Sequence, residues 1–361
     1  MAETASTPAI TWDSGTAYDF FTSLYVIHTP GDFGLRPSWA AGIRSRLSPP
    51  VRDFFSTAVP KMCLSFRWIN ALPQPKQARN VLEILESKRP EEILPSICLD
   101  PEGPGECDGV AADVLKRGRW DESDVEKFQA CPDFDHVKTG HKSDKDSIRK
   151  WLDWWARPAE FGEIFRKGLR EYYEGFFREE ERRIAPDIEG ALERAREMAS
   201  RLSLPKLFEE LSQGVRMENI IMGDLRELCL IPCYWCTPRI LYEPLHEGRQ
   251  IVLFGARPPE ASLIPGDVIP ARLLLSLEAM SDPTRLSILR ALAETPMTQA
   301  EISRKLRLRP PTISHHLKSL RIAGLIAYIG TEKGETRYGA RTQQVEESCA
   351  ALKTFLGTAK N

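Results

Sequence analysis

No stretch of the 361 residues approaches the ~18 consecutive apolar residues of a membrane helix. The opening MAETASTPAI also lacks the basic start and apolar core of a secretory signal. A cytoplasmic protein with no membrane contact is expected. Equally missing are a nucleophile elbow, a phosphate-cradling glycine loop, an H-E-x-x-H pair and a Rossmann fingerprint, which argues against an enzyme and leaves no cofactor to expect. The eight cysteines read as reduced thiols, because intracellular chains of this size rarely use a disulfide framework. A large net charge is lacking too, at −2. The charge is nevertheless unevenly divided: residues 271–341 hold 12 Lys/Arg against 6 Asp/Glu, a net of +6, while the residues before them hold 35 against 43, a net of −8. Nucleic acid would find its cations only in the C-terminal part.

That part is the most informative run, SDPTRLSILRALAETPMTQAEISRKLRLRPPTISHHLKSLRIAGLIAYIGTEKGETRYGA. Asp282 can cap a helix with Pro283 in its first turn, and Leu286, Leu289 and Leu292 recur along it as one apolar face. Thr298 and Glu301 have capping-box spacing and open a second short helix with Ile302 and Leu306 inward. Pro310 and Pro311 restart the chain in a third helix, with Ile313, Leu317 and Leu320 as its buried stripe and Gly324 as its end. Two helices about one turn apart, the second polar outside, form a helix-turn-helix whose second helix enters the major groove. Leu325–Thr331 and Glu335–Arg341 read as a hairpin, a wing carrying Lys333 and Arg337 near its tip. The candidate DNA-binding residues are Arg309, Thr312, Ser314, His315, Lys318, Arg321, Lys333 and Arg337. Thr312, Ser314 and His315 lie near the helix start, where base edges are met, and Lys318 is better placed for phosphate. His316 sits beside the buried stripe and reads as packed.

Through SDPTRLSILRAL, TISHHLKSLRIAGLI and GETRYGA, residues 270–356 resemble the winged-helix repressors of the ArsR/SmtB family. The resemblance implies a repressor that binds double-stranded DNA as a homodimer, pairing through 271–280 and 343–356. Two half-sites one turn apart, in a palindromic operator, would follow. Two positions depart from the family pattern: Arg309 stands where a capping Ser is common, and Arg307 where the turn often carries Gly. Many relatives hold metal through a Cys pair in the helix before the reader, or through His and Asp in the last helix. The corresponding AEISRKL and TQQVEESCAALKTFL offer neither a Cys pair nor a His, so no metal site is expected there.

Ahead of this module the chain reads as mainly α with a small antiparallel sheet, an α+β domain over 12–255 after a disordered start at 1–11. A Pro-rich hinge at 256–270 leads into the winged helix of 271–356. Ser14–Ile27, Ser38–Leu47 and the run through Phe54 and Phe55 read as helices, as do two short segments in 76–98 and the polar stretch 107–130; residues 131–144 read as a surface loop. Ser147–Leu211 is nearly continuous helix interrupted at Pro158, Pro186 and Pro205, with Phe161, Phe165, Leu169, Tyr172 and Phe176 as its buried stripe. Residues 225–254 read as two or three antiparallel strands with a turn at Glu247–Gly248. Segments such as AYDFFTSLYVIHTPGDFGLRPSW and LCLIPCYWCTPRILYEP resemble the long N-terminal domains that precede an ArsR-type winged helix in some bacterial regulators.

Three further groupings are weighed against plain packing. Cys229, Cys233 and Cys236 have spacings a zinc or redox site could use, with His246 the nearest fourth ligand, but an extended strand points Cys236 to the opposite face. Buried thiols fit better. Cys131, Asp133, Asp135, His136 and His141 could ligate a metal, though their spacing is irregular. The aromatics Trp151, Trp154, Trp155, Phe161, Phe165, Tyr172 and Phe176 could line a pocket for a small-molecule effector, against core packing as the default. The chain is thus read as a transcription regulator. Its alternatives are a winged-helix protein-interaction module, or an N-terminal enzyme fused to a DNA binder.

Overall fold

The computed structural model describes residues 8–60, 66–99, 106–131, 145–212, 225–259, 261, 269–330 and 336–357. The chain divides into two compact units. One joins Ser14–Thr29 to Pro37–Ala185; the other joins the start of the chain through Asp13, Pro30–Arg36, and everything from Pro186 onward. Mainly helical secondary structure with small sheets is what the composition and periodicity lead one to expect. Among the described residues no helix is long and apolar enough to cross a membrane.

Among the described residues the regular structure of the first unit is helical: α1 (Thr16–Val26), α2 (Pro37–Arg44), α3 (Pro49–Ala58), α4 (Phe66–Ala71), α5 (Ala78–Ser87), α6 (Pro90–Cys98), α7 (Glu106–Arg117), α8 (Glu122–Ala130), α9 (Lys145–Ala156) and α10 (Pro158–Tyr172). Prolines begin α2, α3, α6 and α10, where the missing N–H has no helical partner to lose. Trp155, Phe161, Phe165, Leu169 and Tyr172 are at most 1 % exposed, so these aromatics are core. The expected stripe fails at its last member: Phe176 is only half-buried and Phe177 is buried instead. The reason is a π-helical turn at Tyr173–Phe177, whose wider winding shifts the register by one residue. After it α11 spans Arg178–Ala199, with Pro186 inside the helix. That proline is exposed, so the Arg182 carbonyl that loses its helical donor has access to water. The loop 131–144 and its candidate metal ligands beyond Cys131 lie outside the described residues. Cys131 itself is buried, its thiol donating to the Lys127 carbonyl at 3.3 Å.

In the second unit, α12 (Leu204–Leu211) is followed by a four-stranded sheet in the order β1-β2-β4-β3, made of β1 (Ala9–Trp12), β2 (Glu227–Cys233), β3 (Leu241–Pro244) and β4 (Arg249–Gly255). Antiparallel pairing is confined to β3 with β4; β1 with β2 and β2 with β4 are parallel. The 15-residue stretch between β2 and β4 permits this, since it places β3 on the outer side of β4 and brings the chain back beside β2 in the same direction. Glu247 and Gly248, at φ 58° and 71°, make the turn from β3 into β4. Order begins earlier than the polar start suggested: Ala9–Trp12 pair with Glu227–Leu230, and Thr11 donates its hydroxyl to Glu227 at 2.8 Å. Cys229, Cys233 and Cys236 are buried. Cys236 lies beyond the end of β2, its thiol donating to the Cys233 carbonyl at 3.2 Å. Of the Pro-rich stretch 256–270, residues 260 and 262–268 lie outside the described residues.

The remaining elements are α13 (Ala271–Met280), α14 (Pro283–Glu294), β5 (Met297–Thr298), α15 (Gln299–Leu306), α16 (Pro310–Ile322), β6 (Ile326–Gly330), β7 (Thr336–Ala340) and α17 (Thr342–Phe355), with β5-β7-β6 an antiparallel sheet. Their core is their own: Ile288, Leu289, Leu292, Ile302, Ile313, Leu317, Leu320, Leu325 and Ile326 form one buried cluster. Leu286 is not part of it, at 48 % exposed. At about 100° per residue it sits some 120° around the helix from Leu292, and Ile288 and Ala291 complete the buried face of α14 instead.

Helix α10 passes so close to α6 that a Cβ on Gly162 would lie 2.0 Å from the Pro90 carbonyl oxygen. A backbone atom cannot rotate away, so the helices must part. Gly162→Ala is expected to cost about 1–3 kcal/mol, read as a lowered midpoint in denaturant unfolding; an unchanged midpoint would show that this approach is not fixed.

Candidate nucleic-acid interface

The reader helix is set by caps on the two helices before it. Asp282 accepts from the Arg285 N–H at 2.8 Å. His316, half-buried on α16, brings Nδ1 to 3.8 Å from the same carboxylate, beyond hydrogen-bond reach. The backbone hydrogen bond to Arg285 is the main reason the Asp282 carboxyl is held below its ordinary value, with Arg285 and His316 adding to it. At α15 the capping box is complete: Thr298 Oγ1 accepts from the Glu301 N–H at 3.2 Å and Glu301 accepts from the Thr298 N–H at 2.8 Å. The turn after α15 is closed by Arg307 in the left-handed conformation, φ 54°, at the position where a glycine was to be expected. Pro310 and Pro311 then open α16, whose cap residue Arg309 makes no side-chain capping bond. Gly324, at φ 71°, ends the turn that follows.

With Ile313, Leu317 and Leu320 at most 2 % exposed, the opposite side of α16 is left to solvent. Thr312, Ser314, His315 and Lys318 are exposed there, and Arg307 and Arg309 are exposed just before it. Six of the residues with hydrogen-bonding or cationic groups are therefore gathered along one helix and the turn leading into it. This geometry can present hydroxyl and imidazole groups to base edges and cations to phosphates.

Two of the expected DNA-binding residues are placed differently. Arg321 is half-buried, donates Nη1 to the Tyr328 hydroxyl, and lies 5.2 Å from the centre of that ring. Arg337 donates to the Pro296 carbonyl at 2.9 Å and to Glu301 at 3.0 Å. Both guanidinium groups brace the wing against the helices. Glu301 is correspondingly held below the ordinary carboxyl range, first by the Thr298 N–H and then by Arg337. Lys333 lies outside the described residues. Sequence reasoning missed Tyr328, although Tyr328 and Tyr338 face each other across the hairpin, ring centres 5.1 Å apart. It also missed Asp32, which receives a hydrogen bond from Lys318 and is 286 residues away with no local signal.

Elsewhere in the same unit a narrow, partly open groove with room for little more than a water molecule is lined by Thr237, Arg257, Arg272, Leu275, Ile322 and Gly324 among others. Arg257 donates to the Thr237 carbonyl at 2.9 Å, and Arg272 to Gln344.

No curated protein matches the chain. Residues 282–328 match the model of the family described as bacterial regulatory protein, arsR family. The match begins at the cap of α14, runs through α15 and α16, and stops in the first wing strand. The chain thus carries an ArsR-type helix-turn-helix at residues 282–328 and is a DNA-binding transcription regulator.

Proposed function

We propose that the protein is a non-enzymatic, cytoplasmic repressor that binds a palindromic operator as a homodimer. The observation that carries this reading is the outward face of α16, with Thr312, Ser314 and His315 exposed beside Lys318, Arg307 and Arg309, in a segment matched by a family of regulators. Thr312, Ser314 and His315 read base edges; the exposed cations contact phosphate; Arg321 and Arg337 act indirectly, by holding the wing.

Pairing is assigned to α13 and α17, and at the end of α17 it is supported by apolar side chains left in solvent. Phe355 and Leu356 are 42 % and 61 % exposed at the end of α17, an arrangement that favours burial against a second copy. A small-molecule effector response is assigned to the part of the chain before α13. Trp151, Trp155, Phe161, Phe165 and Tyr172 of α9 and α10 are buried, so a ligand there would have to displace core side chains. The narrow groove at Thr237 and Arg257 borders Ile322 and Gly324, so a ligand that widened it would favour one setting of the reader helix over another, as an effector must.

Selection of bound genomic fragments, followed by affinity measurements on the recovered duplex, tests the reading. His315→Ala is expected to lose about 1–3 kcal/mol of discrimination at one base position. Loss of affinity that is equal for operator and random duplex would move His315 out of base readout. Arg307→Gly is expected to separate two roles. Relief of the left-handed backbone should raise stability by about 1 kcal/mol, while removal of a cation should shallow the salt dependence of binding by roughly one ion. A destabilised variant would contradict the first part, and an unchanged salt slope the second.

A further inference from the structure

A second feature of α16 concerns its outer face further along the helix. Residues Pro30–Arg36 belong to the winged-helix unit, although the chain on both sides of them belongs to the helical one. Phe33 and Leu35 are buried at 1 % and 7 % exposed, and the Arg239 guanidinium lies 5.6 Å from the Phe33 ring centre. Gly34 comes so close that a Cβ would lie 2.7 Å from Ile322 Cγ2 and 2.9 Å from Leu275 Cδ2, and its φ of +71° suits glycine. The loop is thus seated on α13 and the end of α16. This seating lays Asp32 beside the reader helix, where its carboxylate accepts from Lys318 Nζ.

The face involved is the one offered to DNA. At about 100° per residue, Lys318 and Ile322 lie roughly 60° and 20° from His315 around the helix. All three are on the side away from Ile313, Leu317 and Leu320. The loop therefore covers the later turns of the surface whose first turns hold Thr312 and His315.

We propose that Asp32 stands in for a DNA phosphate on Lys318, so that loop 30–36 is an intramolecular brake on DNA binding. The proposal rests on the DNA-binding reading of α16. One ammonium group held by a carboxylate is not available to neutralise a phosphate. The pair is exposed enough to be weak, with side-chain exposures of 47 % and 21 %; such a brake is adjustable, not absolute. The loop is also continuous with α1 and α2, because the chain leaves the helical unit at Thr29 and re-enters it at Pro37. A change within that unit has a direct covalent route to Asp32.

The test is the affinity of the full chain for a selected genomic duplex and for a random duplex. It uses wild type, Asp32→Asn, Asp32→Glu, Lys318→Ala and the double variant Asp32→Asn with Lys318→Ala, with thermal unfolding recorded in parallel. Asp32→Asn should tighten binding by about twofold to fivefold, the size of an exposed ion pair, and more at low salt. Asp32→Glu, which keeps the charge, should stay near wild type, and Lys318→Ala should weaken binding. In the Lys318→Ala background the change at Asp32 should have no effect. Unchanged or weaker binding by Asp32→Asn would overturn the brake, and so would an equal gain without Lys318, since that would mark a general charge effect. If neither wild type nor Asp32→Asn binds any duplex, the DNA-binding reading itself fails and the brake with it.

Discussion

The seam of Ile313, Leu317 and Leu320 against α14 and α15 is the constraint on which the proposed interface depends. Each of these side chains stabilises the fold by about 1.5–3 kcal/mol through burial. A slip of α16 by one residue would turn the whole seam by about 100°. The helix therefore has one favourable rotation, and in that rotation Thr312, His315 and Lys318 face outward. Nothing about those polar residues fixes their own orientation. The caps at Asp282 and Thr298 set where the two supporting helices begin, and Pro310 with Pro311 sets where the reader begins.

Around this seam the cations divide into two groups. Arg321 and Arg337 have partners within the winged helix: a Tyr328 hydroxyl, a Pro296 carbonyl and the Glu301 carboxylate. Arg307 and Arg309 are exposed, and Lys318 is exposed but paired with Asp32. The 12 Lys/Arg over residues 271–341 are thus an upper count of the cations a phosphate backbone meets, because Arg321 and Arg337 are engaged in holding the wing in place. A shared carboxylate, Glu301, serves both the cap of α15 and the brace to β7, so the helix-turn-helix and the wing are positioned by one group.

Local signals in the sequence were sufficient for the winged helix. Caps, proline positions and the spacing of Ile313, Leu317 and Leu320 all act within a few residues, and each is present in the structure. What could not be read depended on distant chain. The strand Ala9–Trp12 exists because it meets Glu227–Leu230, more than 200 residues later, and the parallel pairing of β2 with β4 depends on where β3 is placed. The one-residue shift that exchanges Phe176 for Phe177 arises from a π-helical turn that ordinary helical periodicity does not contain. The exposed side of α16 was legible from spacing alone, but the partners of Arg321, Arg337 and Lys318 were not. A charged side chain in the sequence does not disclose which carboxylate or hydroxyl the fold will bring to it.

The central claim is that duplex DNA seats on the outward face of α16 in the second unit and not on the helical unit. Hydroxyl-radical footprinting of the full chain, with and without a selected genomic duplex, measures this directly through side-chain protection. The account predicts protection at Pro311 and His315 on α16 and little change over residues 37–185. Protection concentrated in residues 37–185, with α16 as reactive as in the unbound protein, would contradict it.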